Sequence, residues 1–177
     1  RGIVWQTAFC GGRVGFARTH SHKAFLEDMH VLKPEFFLGL SHTWNRFYYD
    51  YRQILTKATL SHLTKMIQEE AKKIGTSCEI GNRIVGEVLN TESWTTLVDA
   101  FCETRLGNYI KAKVTIQFRD MLGGSLQTVA TGGAHTSKTV IEFMKHVCMS
   151  AGNENRVFNS YGSTEFPGIS KNGSISP

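Results

Sequence analysis

The stretch that most constrains this chain is Phe36-Phe37-Leu38-Gly39-Leu40, five consecutive residues without a polar side chain. Such a run is strand-sized, and the absence of alternation suits a strand buried on both faces, as in a parallel sheet. What surrounds it fits. Upstream, Ala24 to Leu32 places apolar residues at 25, 29 and 32, one face of a short helix stopped before Pro34. Downstream, Trp44, Phe47, Tyr48, Tyr51 and Leu55 fall on one helical face, and Leu60, Leu63, Ile67, Ala71 and Ile74 define a second helix ended by Gly75. Trp94, Leu97, Val98, Phe101 and Cys102 predict a third, ending near Gly107. Ile110, Val114, Phe118, Met121 and Leu122 predict a fourth, stopped by Gly123-Gly124. Leu126 to Ala130 reads as a buried strand. Ser137 N-caps a helix with Val140, Ile141, Met144, Val147 and Cys148 on its apolar face. Gly12 to Phe16 and Arg156 to Asn159 read as short strands, and Asn172-Gly173 between extended residues is a hairpin signal. Thr76 to Asn90 has no period, so an irregular insert is expected near residues 76–96. Strand alternating with helix gives an α/β fold: a layered, mostly parallel sheet flanked by helices.

Composition narrows the function. The 177 residues suffice for one domain or part of a larger one, with 41% hydrophobic and 20% charged residues. That excludes a disordered or fibrous chain. No apolar run approaches the roughly 18 residues of a membrane-spanning helix. The net charge is +5, without a basic stripe interleaved with aromatics, so no nucleic-acid partner is expected. The densest basic stretch, Lys57 to Lys73, could rest on an anionic membrane surface as a peripheral contact, but Glu69 and Glu70 within it favour a solvated face. Cys10, Cys78, Cys102 and Cys148 form no C-x-x-C pair and read as reduced, mostly buried thiols of an intracellular protein, cytoplasmic or at a membrane surface. His20 and His22 have no third ligand in spacing, so a loop surface is expected there rather than zinc. The chain opens at Arg1 in core-like sequence, which reads as an internal piece of a longer polypeptide.

In open α/β sheets, ligands sit beyond the carboxyl ends of strands. Two polar, glycine-bearing clusters follow predicted strands here: Thr131-Gly132-Gly133-Ala134-His135-Thr136-Ser137 and Tyr161-Gly162-Ser163-Thr164-Glu165. Gly132 and Gly133 let backbone approach a flat ligand, and Ser137 opens a helix whose amino end favours anions. Tyr161 offers an aromatic face, Ser163 and Thr164 offer hydroxyls, and Glu165 offers a hard oxygen. A nucleotide with bound Mg²⁺ asks for that set; a polar turn with an exposed glutamate is the plainer reading.

Tyr161 to Glu165 resembles the Y-G-S/Q-T-E motif of the adenylate-forming, AMP-binding superfamily. The order of neighbours is similar too, with Gly123-Gly124, a strand, and Thr131-Gly132-Gly133-Ala134 about 30 residues earlier. Gly11 to Phe16, Asp28, Leu32-Lys33-Pro34 and Trp44-Asn45-Arg46-Phe47-Tyr48 resemble the long-chain fatty acid–CoA ligases (acyl-CoA synthetases), and Tyr161 to Ser176 is also similar to carboxylic acid reductase adenylation domains. The resemblance implies a partial adenylation domain over 1–177 that joins a fatty acid to ATP as acyl-AMP and passes the acyl group to coenzyme A. It implies that Tyr161 stacks on adenine, Gly132, Gly133 and Ala134 line the adenine and acyl-carbonyl region, and Gly162 and Ser163 supply backbone. It further implies that Thr164 binds the α-phosphate and that Glu165 holds Mg²⁺. Leu40-Ser41-His42, His135 and Ser160 depart from the family pattern. No phosphate loop ending in Lys and no domain with a catalytic Lys lies within the 177 residues. The piece alone is therefore expected to be inactive, working with the rest of its polypeptide or a complementary subunit. The alternatives are a degenerate homologue serving as a structural or regulatory subunit, and an adenylation module feeding a carrier-protein thiol.

Overall fold

The computed structural model describes residues 11–15, 21–73, 94–149, 156–161, 170–171 and 174–175. In chain order the elements are α1 (His22–Leu32), β1 (Phe36–Leu40), α2 (Ser41–Lys73), α3 (Trp94–Cys102), α4 (Arg105–Met121) and β2 (Thr128–Gly132). Then come α5 (Lys138–Phe143), which continues as a π-helical turn over Met144–Cys148, β3 (Val157–Tyr161), β4 (Ser170–Lys171) and β5 (Ser174–Ile175). The described strands lie in the order β1-β2-β3-β4-β5. β1 to β3 are parallel, with Leu38 opposite Ala130 and Ala130 opposite Phe158; β4 and β5 are antiparallel additions. This is the expected α/β class with a parallel core. The β4–β5 ladder pairs Ser170 with Ile175 and Lys171 with Ser174, on either side of the Asn172-Gly173 signal.

The core lies between the inner face of the parallel strands and the helices. Trp44 and Phe47 on α2, Phe118 on α4, and Val129 on β2 are all 0% exposed. Edge-to-face contacts join Trp44 to Phe47 and Phe47 to Phe118, with centroids 5.6 and 6.5 Å apart, geometry that adds to plain area burial. The Trp44 indole N–H donates to the Ala130 carbonyl at 3.1 Å, fixing the start of α2 over the sheet. The helical face of Trp44, Phe47 and Tyr51 is thus core.

Four expectations are corrected. The reading of two helices over 44–74 fails: α2 is one helix of 33 residues. No Gly or Pro interrupts 41–73, and a buried stripe of Trp44, Phe47, Tyr51, Leu55 and Thr59 runs through the supposed break. The strand expected over Gly12 to Phe16 is absent at residues 12–15, which join no ladder; Phe16 lies outside the described residues. The third helix does not reach Gly107, because Thr104 caps a new helix and its hydroxyl accepts from the Gly107 N–H at 3.0 Å. Finally, β1 is not buried on both faces. Among the described residues it is an edge strand whose outward Phe36, Leu38 and Leu40 are 47, 46 and 55% exposed.

His22 opens α1 rather than lying on a loop, and its ring pairs with Asp50 on α2. His20, Cys10 and Cys78 lie outside the described residues. Cys102 and Cys148 are buried free thiols, as read. Burial pushes both thiols up, Cys148 well beyond the ordinary thiol range. The basic stretch falls on the outer half of α2, where Lys57, Lys65, Glu69 and Glu70 are exposed and Lys73 pairs with Glu70 at 2.6 Å. Among the described residues no helix is long and apolar enough to cross a membrane.

Candidate functional site

The three parallel strands deliver their carboxyl ends to one edge, where the first glycine-bearing cluster leaves the sheet and where Tyr161, the first residue of the second, ends β3. β2 extends two residues further than the sequence reading, so Thr131 and Gly132 belong to the ladder and the turn begins at Gly133. Thr131 is opposite Asn159 on β3. Two residues on, Gly133 leaves β2 and Tyr161 ends β3, on neighbouring parallel strands. The backbone of Tyr161 also pairs with Ser170 of β4. Gly162, Ser163, Thr164 and Glu165 lie outside the described residues.

Gly133 adopts a φ of +81°, a left-handed conformation that side chains disfavour, and a Cβ there would stand 3.0 Å from Leu40 Cδ2. Gly133, Ala134 and His135 are exposed, whereas Thr131 and Thr136 on either side are 0 and 2% exposed. The turn is thus an exposed stretch between two buried threonines, with bare backbone at Gly133. Ser137 then caps α5 as expected, its hydroxyl accepting from the Val140 N–H at 3.3 Å. The helix passes into a π-turn rather than continuing as α. Its last carbonyls are met by Arg119, whose Nε donates to Val147 at 2.8 Å and whose Nη2 donates to His146 at 3.0 Å.

Sequence reasoning missed the part Ser41 plays here. Leu40 ends β1 and Ser41 starts α2 with no loop between, so Ser41 sits at the same strand edge. It is buried, at 4% exposure. Its hydroxyl donates to the Ala134 carbonyl at 2.6 Å, lies 2.8 Å from Thr136 Oγ1, and is 3.5 Å from the Gly132 carbonyl. Thr136 Oγ1 in turn lies 2.8 Å from Thr131 Oγ1. The rule that ligands collect beyond strand carboxyl ends applies to β1 as much as to β2, and would have drawn attention to the first residue after Leu40.

A parallel sheet with a glycine-bearing turn leaving the carboxyl end of β2 defines an open α/β protein whose ligands bind at that edge. Residues 1–175 match the AMP-binding enzyme family, and the chain belongs to that family. Among solved structures it is similar to the A-PCP didomain of carboxylic acid reductase from Segniliparus rugosus in complex with AMP, at 16% identity and a TM-score of 0.43. The likeness covers 93% of this chain and 16% of that one, so this chain spans about a sixth of that protein's length. No curated protein matches the sequence.

Proposed function

We propose that this chain carries part of the nucleotide site of an acid–thiol ligase. The enzyme activates a carboxylic acid, a long-chain fatty acid in our reading, with ATP and passes the acyl group to coenzyme A. The observation that supports this most is the parallel register of β2 and β3. It brings the Gly133-Ala134 turn, which follows Gly132 at the end of β2, and Tyr161 to adjacent positions on one edge of the sheet. Adenine lies against the Gly133–Ala134 backbone with Tyr161 as its stacking platform, while Gly162 and Ser163 supply backbone beside it. Thr164 donates to the α-phosphate. Glu165, a hard-oxygen donor following two hydroxyl residues, is the ligand for Mg²⁺, which when bound neutralises phosphate charge.

The chemistry has two halves. A carboxylate oxygen of the acid attacks the α-phosphorus, forming the acyl–phosphate bond as the bond to pyrophosphate breaks. The thiol then loses its proton and attacks the acyl carbonyl, and AMP departs with the electron pair. Charge accumulates on the phosphate oxygens in the first half, so positioned donors and the metal site carry most of the stabilisation. Acid-dependent exchange of pyrophosphate into ATP by the intact protein tests this. Glu165→Ala should abolish exchange while Ser163→Ala retains most of it. Equal losses would contradict the assignment. Acyl transfer tested with coenzyme A and with a carrier-protein thiol separates the two acceptors.

A further inference from the structure

The hydroxyls of Thr131, Thr136 and Ser41 form a chain whose direction follows from proton counting. Each hydroxyl has a single hydrogen to give. Ser41 gives its own to the Ala134 carbonyl at 2.6 Å, so at the 2.8 Å contact Thr136 must be the donor to Ser41. Thr136 has then spent its hydrogen, and at the next 2.8 Å contact Thr131 must donate to Thr136. All three side chains are buried, at 0, 2 and 4% exposure for Thr131, Thr136 and Ser41. The chain therefore links two elements 93 residues apart in sequence, the start of α2 and the turn after β2, and ends on a turn carbonyl. With that carbonyl held inward, Gly133 is kept at its φ of +81° and the turn's exposed backbone is presented outward.

We propose that Ser41 is a positioning residue for nucleotide binding. Oriented by Thr136 and Thr131, its hydroxyl locks the Gly133–Ala134 turn in the conformation that receives the purine. The inference rests on the reading of that turn as the adenine wall. It goes further in giving the first residue of α2 a defined task and in ranking three hydroxyls. Ser41 makes the terminal contact and matters most. Thr136 orients Ser41 and comes second. Thr131 orients only Thr136 and comes last.

The test uses the intact protein, with ATP affinity by calorimetry, melting temperature, and amide hydrogen exchange of residues 133–135 without nucleotide. Ser41→Ala should weaken ATP binding about tenfold and speed exchange in the turn, and Thr136→Val should weaken it about threefold. Thr136→Ser keeps the hydroxyl and should restore near-normal affinity. Combining Ser41→Ala with Thr136→Val should be no worse than Ser41→Ala alone, because the two act through one contact. If Ser41→Ala does not fold, the comparison of Thr136→Val with Thr136→Ser decides the matter on the same readouts. Lowered melting temperatures with unchanged ATP affinity and unchanged exchange would overturn the positioning role and leave the adenine reading standing. A wild-type protein that binds no ATP would overturn both.

Discussion

The two faces of the parallel sheet differ at its β1 edge, while on β2 both are closed, the outward Ala130 being only 8% exposed. Inward, Val129 and Thr131 are 0% exposed on the side where α2 packs. Outward, alternate residues of β1 (Phe36, Leu38 and Leu40) keep about half their surface open among the described residues. A parallel strand normally buries both faces, and its sequence then reads as an unbroken apolar run. Here the run is present and the second cover is not among the described residues. An apolar run thus reports what a strand can bury, while its neighbours decide what it does bury.

The contrast can be broken first by truncation. Phe47→Ala should cost about 3–5 kcal/mol, since it empties the centre of the aromatic cluster. Leu38→Ala on the outer face should cost under about 1 kcal/mol. Denaturant melts of the two variants check this, and equal losses would mean the outer face is covered in the folded protein. Next, Gly107→Ala probes how tightly the covered side is built. A Cβ there would overlap the Phe101 carbonyl oxygen where α3 hands over to α4. The expected loss is about 1–3 kcal/mol, against a gain of about 1 kcal/mol in helix propensity. A stabilised Gly107→Ala protein would show that this handover is looser than described.

A smaller effect has the opposite sign. Thr59 is 0% exposed on the buried stripe of α2, and its hydroxyl has no hydrogen-bond partner among the described residues. Thr59→Val keeps the shape and removes the unsatisfied group, so stability should rise by about 1 kcal/mol. A fall would reveal a partner for that hydroxyl. The smallest effect is conditional on pH. Burial pushes the Cys148 thiol up, so the folded state favours its protonated form. That contribution is complete below the unfolded thiol's pKa of about 8.5 and is lost as pH rises above it. The melting-temperature advantage of the wild type over Cys148→Ala should therefore shrink between pH 8 and about 10. An advantage constant over that range would contradict the burial account.

Much of the fold was legible because the deciding interactions are local. The bounds of β1 matched its apolar run, Ser137 capped its helix, Pro34 marked the end of α1, and Asn172-Gly173 marked the β4–β5 ladder. The fourth helix survived the β-branched Val114 and Ile116 because Ile110, Val114 and Phe118 are buried on one side, and packing outweighs propensity. The false break in α2 came from reading two apolar stripes where one curves on through Thr59. The strand reading over Gly12 to Phe16 failed at residues 12–15, where apolar residues join no ladder. At the sheet edge, the glycine turn after β2 could be read because glycine and strand order are written in sequence. The Ser41 contacts could not, because they join residues 93 and 95 positions apart and depend on how α2 leaves β1.

The proposal that Tyr161 and the Gly133–Ala134 turn form one adenine site is tested most directly by ATP calorimetry on Tyr161 variants of the intact protein. Base–aromatic stacking is worth roughly 1–3 kcal/mol on alanine substitution in nucleic-acid binders. Tyr161→Ala should therefore raise the ATP Kd by roughly 5- to 150-fold, while Tyr161→Phe, which keeps the ring, stays within about threefold of wild type. A Tyr161→Ala protein with a lowered melting temperature and unchanged ATP affinity would contradict the account and make the ring part of the packing alone.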